Sequence, residues 1–155
     1  MRLVLDTSAL FSMRDLPLDA EIYTTPGVIS ELERYGDSRA RYWEHALRTS
    51  DPVSDSLRMI KKAAEKTGDI SRLSQTDLEV LALAKDLGAT ILTDDYSIQN
   101  LARYLGIEYK AVGLVGIKRL VKWKLRCTGC GRTWEERHPE CPVCGSPLRT
   151  SRSRK

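Results

Sequence analysis

Two sets of side chains in this sequence have types and spacings suited to chemistry. The first is a set of acids in four places. Asp6 ends the apolar run Leu3-Val4-Leu5, and Glu31 sits inside Val28-Ile29-Ser30-Glu31-Leu32. Asp77 falls in the first turn of the most apolar helical segment, and Asp94 and Asp95 follow Ala89-Thr90-Ile91-Leu92-Thr93. Taken singly, each is an ordinary acid at a helix start or on a wet surface. Gathered at one edge, they repel and raise one another's pKa. A divalent cation removes that penalty, and hard Mg²⁺ or Mn²⁺ prefers oxygen ligands. One such ion activates a water near neutral pH and a second stabilises a leaving oxygen, which is chemistry suited to phosphodiester hydrolysis. Neither His45 nor His138 lies near these motifs, which disfavours a histidine-paired mechanism.

The second set is Cys127, Cys130, Cys141 and Cys144. These are two CxxC pairs ten residues apart, each followed by a glycine, Gly131 and Gly145. Two such knuckles supply four thiolates that converge tetrahedrally on one Zn²⁺. The glycines permit the turns that aim backbone amides at sulfur. About 25 residues bury too little apolar surface to fold unaided, so the metal contributes folding energy. A closed thiolate site has no open position, which makes this zinc structural; His138 is surplus to it.

The elements that must position these groups follow from apolar patterning and punctuation. Leu3–Leu5 reads as a buried strand, and Ser8–Phe11 opens a first helix. Ile22–Thr24 is a short strand. Pro26 starts a helix to about Tyr35, stopped at Gly36. Residues 38–48 and 55–67 read as helices. Ser74-Gln75-Thr76-Asp77 resembles a capping box ahead of a largely apolar, hence buried, helix that Gly88 closes. Ala89–Thr93 is a strand, about 97–105 a helix and Glu108–Val112 a last strand. Strands alternating with helices give the α/β class, with a parallel sheet and right-handed crossovers. Ligands in such sheets collect beyond the carboxyl ends of the strands, where Asp6 and Asp94/Asp95 are delivered.

The 155 residues suffice for one domain and a small appendage. Residues 1–115 carry 14 Lys/Arg against 18 Asp/Glu, a net of −4, whereas residues 116–155 carry 11 against 3, a net of +8. An acidic body with a basic end fits a polyanion partner held by that end; a merely solubilising tail is the plainer alternative. Lys122, Lys124, Arg126, Arg132 and Arg137 are phosphate-binding candidates, with Trp123 and Trp134 available to stack bases. Trp134 with Leu125 forming the ribbon's own core is the equal alternative. No apolar run approaches a membrane span, and the early Asp6 disfavours a secretory signal, so a cytoplasmic location is expected.

Four stretches together resemble the PIN-domain nucleases: Val4-Leu5-Asp6-Thr7-Ser8-Ala9, Pro26-Gly27-Val28-Ile29-Ser30-Glu31-Leu32, Leu73-Ser74-Gln75-Thr76-Asp77-Leu78-Glu79-Val80-Leu81-Ala82-Leu83-Ala84 and Leu92-Thr93-Asp94-Asp95-Tyr96-Ser97-Ile98-Gln99-Asn100. A PIN domain followed by a four-cysteine ribbon is similar, more narrowly, to the archaeal and eukaryotic endonucleases that mature the 3′ end of small-subunit ribosomal RNA. The resemblance implies a PIN-type sheet and Mg²⁺- or Mn²⁺-dependent cutting of single-stranded precursor RNA, leaving a 3′-hydroxyl and a 5′-phosphate. Its implied partners are the pre-ribosomal small subunit and assembly factors. It matches Asp6, Glu31, Asp77 and Asp94 to the acidic metal positions, with Asp95 as the alternative to Asp94. Thr7 and Ser8 either orient a water or phosphate or cap the helix.

The expected organisation is a PIN nuclease domain over 1–112, a basic linker over 113–124, a zinc ribbon over 125–148 and a flexible basic tail over 149–155. Two rival functions stand beside this one. One is a PIN-type toxin that cuts tRNA or mRNA, against which the ribbon argues. The other is a non-catalytic RNA or ribosome-assembly module, against which the full acidic set argues, because clustered charge is costly without a use.

Overall fold

The computed structural model describes residues 1–17, 19–113 and 123–152. Five short parallel strands form the main sheet: β1 (Arg2–Leu5), β2 (Glu21–Thr24), β3 (Arg48–Thr49), β4 (Thr90–Leu92) and β5 (Tyr109–Lys110), in the order β3-β2-β1-β4-β5. Parallel strands require helical crossovers, and these are α1 (Thr7–Ser12), α2 (Pro26–Arg34), α3 (Ala40–Ala46), α4 (Ser54–Thr67), α5 (Gln75–Leu87) and α6 (Tyr96–Leu105). The order reverses between β1 and β4, the kind of switch point past whose strand ends ligands of open α/β sheets bind.

Local chemistry sets the boundaries. Thr25 caps α2 through its hydroxyl, which accepts from the Val28 amide, and Pro26 fills the first helical position. The capping box is formed in full: the Ser74 hydroxyl accepts from the Asp77 amide at 3.1 Å, and the Asp77 carboxylate accepts from the Ser74 amide at 2.9 Å. Gly88 and Gly106 end α5 and α6 at φ 59° and 71°, a left-handed conformation other residues avoid. As its sequence requires, α5 is buried over Leu78 and Val80 to Ala84. It packs with Val4, Leu5, Leu10, Ile60, Ile91, Ile98 and Leu101 in a core that, among the described residues, belongs to the main sheet, its helices and their connections.

A second sheet, antiparallel, is made by β6 (Trp123–Cys127), β7 (Thr133–Trp134) and β8 (Leu148–Arg152), in the order β7-β6-β8. Three expectations need correction. The helix over 38–48 ends at Ala46, and Arg48–Thr49 pairs with Tyr23–Thr24 as β3; two residues are too few to show strand periodicity. The flexible tail does not begin at Arg149, because residues 148–152 pair along all of β6 through backbone bonds that composition does not reveal. Trp123 and Lys124 likewise belong to β6 and not to a linker. Linker residues 114–122, Lys122 included, and tail residues 153–155 lie outside the described residues.

Candidate functional site

Asp6 stands one residue past β1, and the register Leu5↔Leu92 brings it level with Thr93, one residue past β4. Its carboxylate is 4% exposed. The Thr93 hydroxyl donates to Oδ2 at 2.6 Å, the Ser8 hydroxyl to both oxygens at 2.8 and 2.9 Å, and the Ala9 amide to Oδ1 at 2.9 Å. Burial nevertheless pushes its pKa up to about 6, against the lowering effect of these bonds, and the Asp95 charge adds to the rise.

The other acids arrive from three elements. Glu31, on α2, accepts at Oε2 from the Thr7 hydroxyl at 2.6 Å. Asp77, in the first turn of α5, is raised above the usual carboxylate range by burial first, then by the charges of Asp95 and Glu31. Asp95 caps α6, accepting from the amides of Ser97 at 2.8 Å and Ile98 at 3.3 Å. The charge of Asp95 thus reaches both Asp6 and Asp77, and that of Glu31 reaches Asp77, along one edge of the sheet. These acids stand apart enough that, among the described residues, only the four cysteines hold ligand atoms all within 4.8 Å of one another.

Asp94 points elsewhere. Its carboxylate accepts from the amides of Val112 at 2.8 Å and Gly113 at 3.0 Å, and from the Ser12 hydroxyl at 3.0 Å. These bonds tie the end of α1 to the chain leaving β5. Adjacent residues past a strand diverge, so the Asp-Asp dipeptide divides its two side chains between two tasks.

Two positioning side chains escaped the sequence reading. Thr93, fully buried, donates to Asp6 and accepts from the Asp95 amide at 3.0 Å. Gln99, also fully buried, donates to the Thr93 carbonyl at 2.8 Å and holds that turn in place. The available signal was a hydroxyl ending an apolar strand beside a second strand that ends in an acid. Ser8 does more than begin a helix, since its hydroxyl also accepts from the Asp94 amide at 3.0 Å and bridges the two strand ends.

The four cysteines come together as free thiols. Sγ of Cys127 lies 3.3 Å from that of Cys144, and Sγ of Cys130 lies 3.8 Å from that of Cys141. The amides of Gly129 and Cys130 both donate to Cys127 Sγ at 3.3 Å. Hydrogen bonds from the Ser146 side chain and backbone hold Cys144 down to about 6, and those from the Cys144 and Val143 backbone lower Cys141, whereas, against a lowering bond from the Arg132 backbone, burial and hydrogen bonds with the other three thiols push Cys130 up to about 11. His138 packs edge-on against Trp134, ring centroids 5.3 Å apart, outside the thiol cluster. Trp134 is half-buried opposite Leu125, while Arg126, Arg132 and Arg137 are exposed and Lys124 pairs with Glu135 at 3.7 Å.

Comparison with known proteins places this geometry. Residues 3–87 match the family described as the PIN domain of ribonuclease. Endoribonuclease Nob1 of Pyrococcus abyssi is 43% identical over 157 residues, covering 96% of this chain and 92% of that protein. The chain belongs to the Nob1 endoribonuclease family. Ribonuclease VapC1 of Thermoplasma acidophilum is 37% identical, covering 94% of this chain and 76% of that protein. The VapBC-1 structure from nontypeable Haemophilus influenzae shares the fold, with a TM-score of 0.54 at 15% identity over 72% of this chain and 98% of that one. The resemblance read in the sequence is therefore correct at the level of family, fold and enzyme class. The Nob1 chain compared spans the cysteine ribbon as well as the sheet.

Proposed function

We propose that this Nob1-family chain is a divalent-metal-dependent endoribonuclease that cleaves single-stranded precursor small-subunit rRNA near its 3′ end during ribosome maturation. The observation that supports the reading is that Asp6, Asp77, Asp95 and Glu31 lie near enough for the Asp95 charge to raise Asp6 and the Asp95 and Glu31 charges to raise Asp77, with Asp6 buried and protonated more easily than a free carboxyl. Such a cluster is electrostatically unfavourable alone. The donors are all oxygen, which suits Mg²⁺ or Mn²⁺ better than zinc. When bound, such an ion neutralises charge on the phosphate and makes a water nucleophilic near neutral pH.

The chain's own residues prepare that place. Asp6, Asp77 and Asp95 hold the cation, with Asp95 taking the role that the family resemblance left open between it and Asp94. Glu31 is aimed by Thr7. Ser8 and Thr93 fix the Asp6 carboxylate, while Asp94 fastens α1 to the exit of β5. Hydrolysis at such a site breaks the bond to the 3′ oxygen and leaves a 3′-hydroxyl and a 5′-phosphate. Cys127, Cys130, Cys141 and Cys144 hold one structural Zn²⁺, and the exposed basic face of the ribbon, with Arg126, Arg132 and Arg137, grips flanking RNA. Lys122, Lys124, Trp123 and Trp134 remain candidates for that grip. The pre-ribosomal small subunit and its assembly factors are the expected partners, and the cytoplasm the expected location. Among the described residues no helix is long and apolar enough to cross a membrane.

The deciding experiment incubates the purified chain with precursor RNA spanning the small-subunit 3′ end, with and without Mn²⁺, and maps product ends. Metal-dependent cleavage at one site, abolished by Asp6→Asn with RNA affinity nearly intact, is expected. Cleavage by Asp6→Asn at the wild-type rate removes the acidic edge from the mechanism. Preferential cutting of tRNA or mRNA fragments assigns the chain to the toxin-like reading instead.

A further inference from the structure

Beside the acidic edge stands a pair of aromatic rings for which the core has no use. Thr7 and Phe11 lie one turn apart on α1, and Glu31 and Tyr35 one turn apart on α2, with Tyr35 as the C-cap. The two helices therefore meet at two rungs. One is the Thr7–Glu31 hydrogen bond at 2.6 Å. The other is an edge contact between Phe11 and Tyr35, with ring centroids 6.0 Å apart and planes at 67°. Four helical residues rise about 6 Å, so the rings sit directly beyond the Thr7–Glu31 rung. Yet Phe11 is 46% exposed and Tyr35 73% exposed, while Ala9 and Leu10 between them and the sheet are fully buried. Large rings left this wet contribute little to folding and mark a surface for contact.

The backbone that carries the pair is anchored. Ser12, next to Phe11, donates to Asp94 at 3.0 Å. Arg39 donates to the Met13 carbonyl at 3.0 Å, and the Tyr35 amide closes on the Glu31 carbonyl at 3.0 Å.

We propose that Phe11 and Tyr35 form a stacking platform that seats an unpaired base of the RNA beside the scissile phosphate. The proposal rests on the reading that the Thr7–Glu31 rung belongs to the active edge. Aromatic faces bind single strands because every base has a π face, and they do so without reading sequence. Bases in a duplex are already stacked, so such a platform selects unpaired RNA. Continuity with the carboxylate edge through the Thr7–Glu31 rung favours RNA over an apolar protein partner.

The test uses the full chain and a single-stranded RNA that spans the cleavage position, in buffer without added Mg²⁺ or Mn²⁺. One abasic nucleotide is moved along the RNA and the Kd is measured at each placement. Wild-type protein is expected to lose affinity about 5- to 150-fold at one or two neighbouring positions, the range for loss of one stacked base. Phe11→Leu and Tyr35→Leu should weaken binding of intact RNA by a similar factor and erase that positional penalty. Tyr35→Phe should keep both, and unchanged melting temperatures show that the fold survives. An abasic profile identical in wild type and both leucine variants overturns the platform, as does unaltered RNA affinity alongside loss of a protein partner. Because binding is read without cleavage, the result is independent of the Asp6→Asn assay, so failure of the platform and failure of the acidic site are told apart.

Discussion

Burial pushes the Asp6 carboxyl up to about 6 although three donors stabilise its ionised form. The sign of the linkage follows. A raised acid favours the fold while protonated, so its stabilising contribution is full below about 3.8 and is lost as pH rises through about 6. In the metal-free protein that loss is worth about 3 kcal/mol. Asp6→Asn should therefore raise the metal-free melting temperature at pH 7.5 but change it little at pH 4. The gain in melting temperature on adding Mn²⁺ should grow between pH 5 and 7.5 in wild type and stay flat in the variant. Calorimetry at the two pH values checks both; a pH-independent Mn²⁺ effect in wild type removes Asp6 from the ion's surroundings. The neighbouring dipeptide offers a second contrast. Asp95→Asn should reduce cleavage by at least a hundredfold with little change in stability. Asp94→Asn should leave cleavage within about tenfold and cost about 1–2 kcal/mol, because it weakens the bonds to Val112 and Gly113. Cleavage rates and melting curves of the two variants decide which acid does which task. The sequence left this pair undivided because both residues follow the same strand, and only the path of β5 separates their surroundings.

At the scale of elements, the distance between Glu31 and Asp77 is governed by how closely α2 approaches the start of α5. Gly27 sets that approach: a Cβ there would lie 2.9 Å from Thr76 Oγ1 and 3.3 Å from Thr76 Cγ2. Rotating Thr76 exchanges one clash for the other, since both branches of its side chain face the glycine. Gly27→Ala should thus force α2 away from α5, cost about 1–3 kcal/mol and lower kcat by roughly tenfold or more. Gly27→Ala combined with Thr76→Ala should recover most of both losses, measured by melting temperature and cleavage rate. Non-recovery places the role of Gly27 in its backbone and not in the helix approach. Much of this scaffold was legible in the chain. The apolar run before Asp6, the capping box at Ser74 and the glycine stops at 88 and 106 each obey local rules, and the structure keeps them all. What was not legible depends on long-range pairing. β3 is two residues long, β8 is polar and basic yet pairs with β6 through its backbone, and Thr93 and Gln99 earn their places only once β1 and β4 are side by side.

The whole molecule divides its labour by charge. Residues 1–115 carry a net of −4 and the remainder +8, and among the described residues the buried apolar core lies within residues 3–102. A core of that extent supports folding of the first part without the ribbon, in which four sulfurs lie within 4.8 Å of one another as the proposed zinc site. On the proposed zinc assignment, a zinc chelator should release one zinc ion and lose the ribbon's structure, while the melting transition of the main sheet persists. RNA binding tests whether the positive end acts on nucleic acid. Each phosphate contact neutralised by Lys or Arg adds about 0.7 to the slope of log K against log salt for a single strand. Truncation after residue 115 removes 11 basic and 3 acidic side chains, so it should lower affinity at low salt and flatten the salt slope by several contacts' worth. Cleavage of a short RNA that reaches only the carboxylate edge should fall far less than cleavage of a long precursor. If the salt slope is the same with and without residues 116–155, the ribbon's charge faces a protein, and the acidic edge must draw RNA by stacking and metal alone.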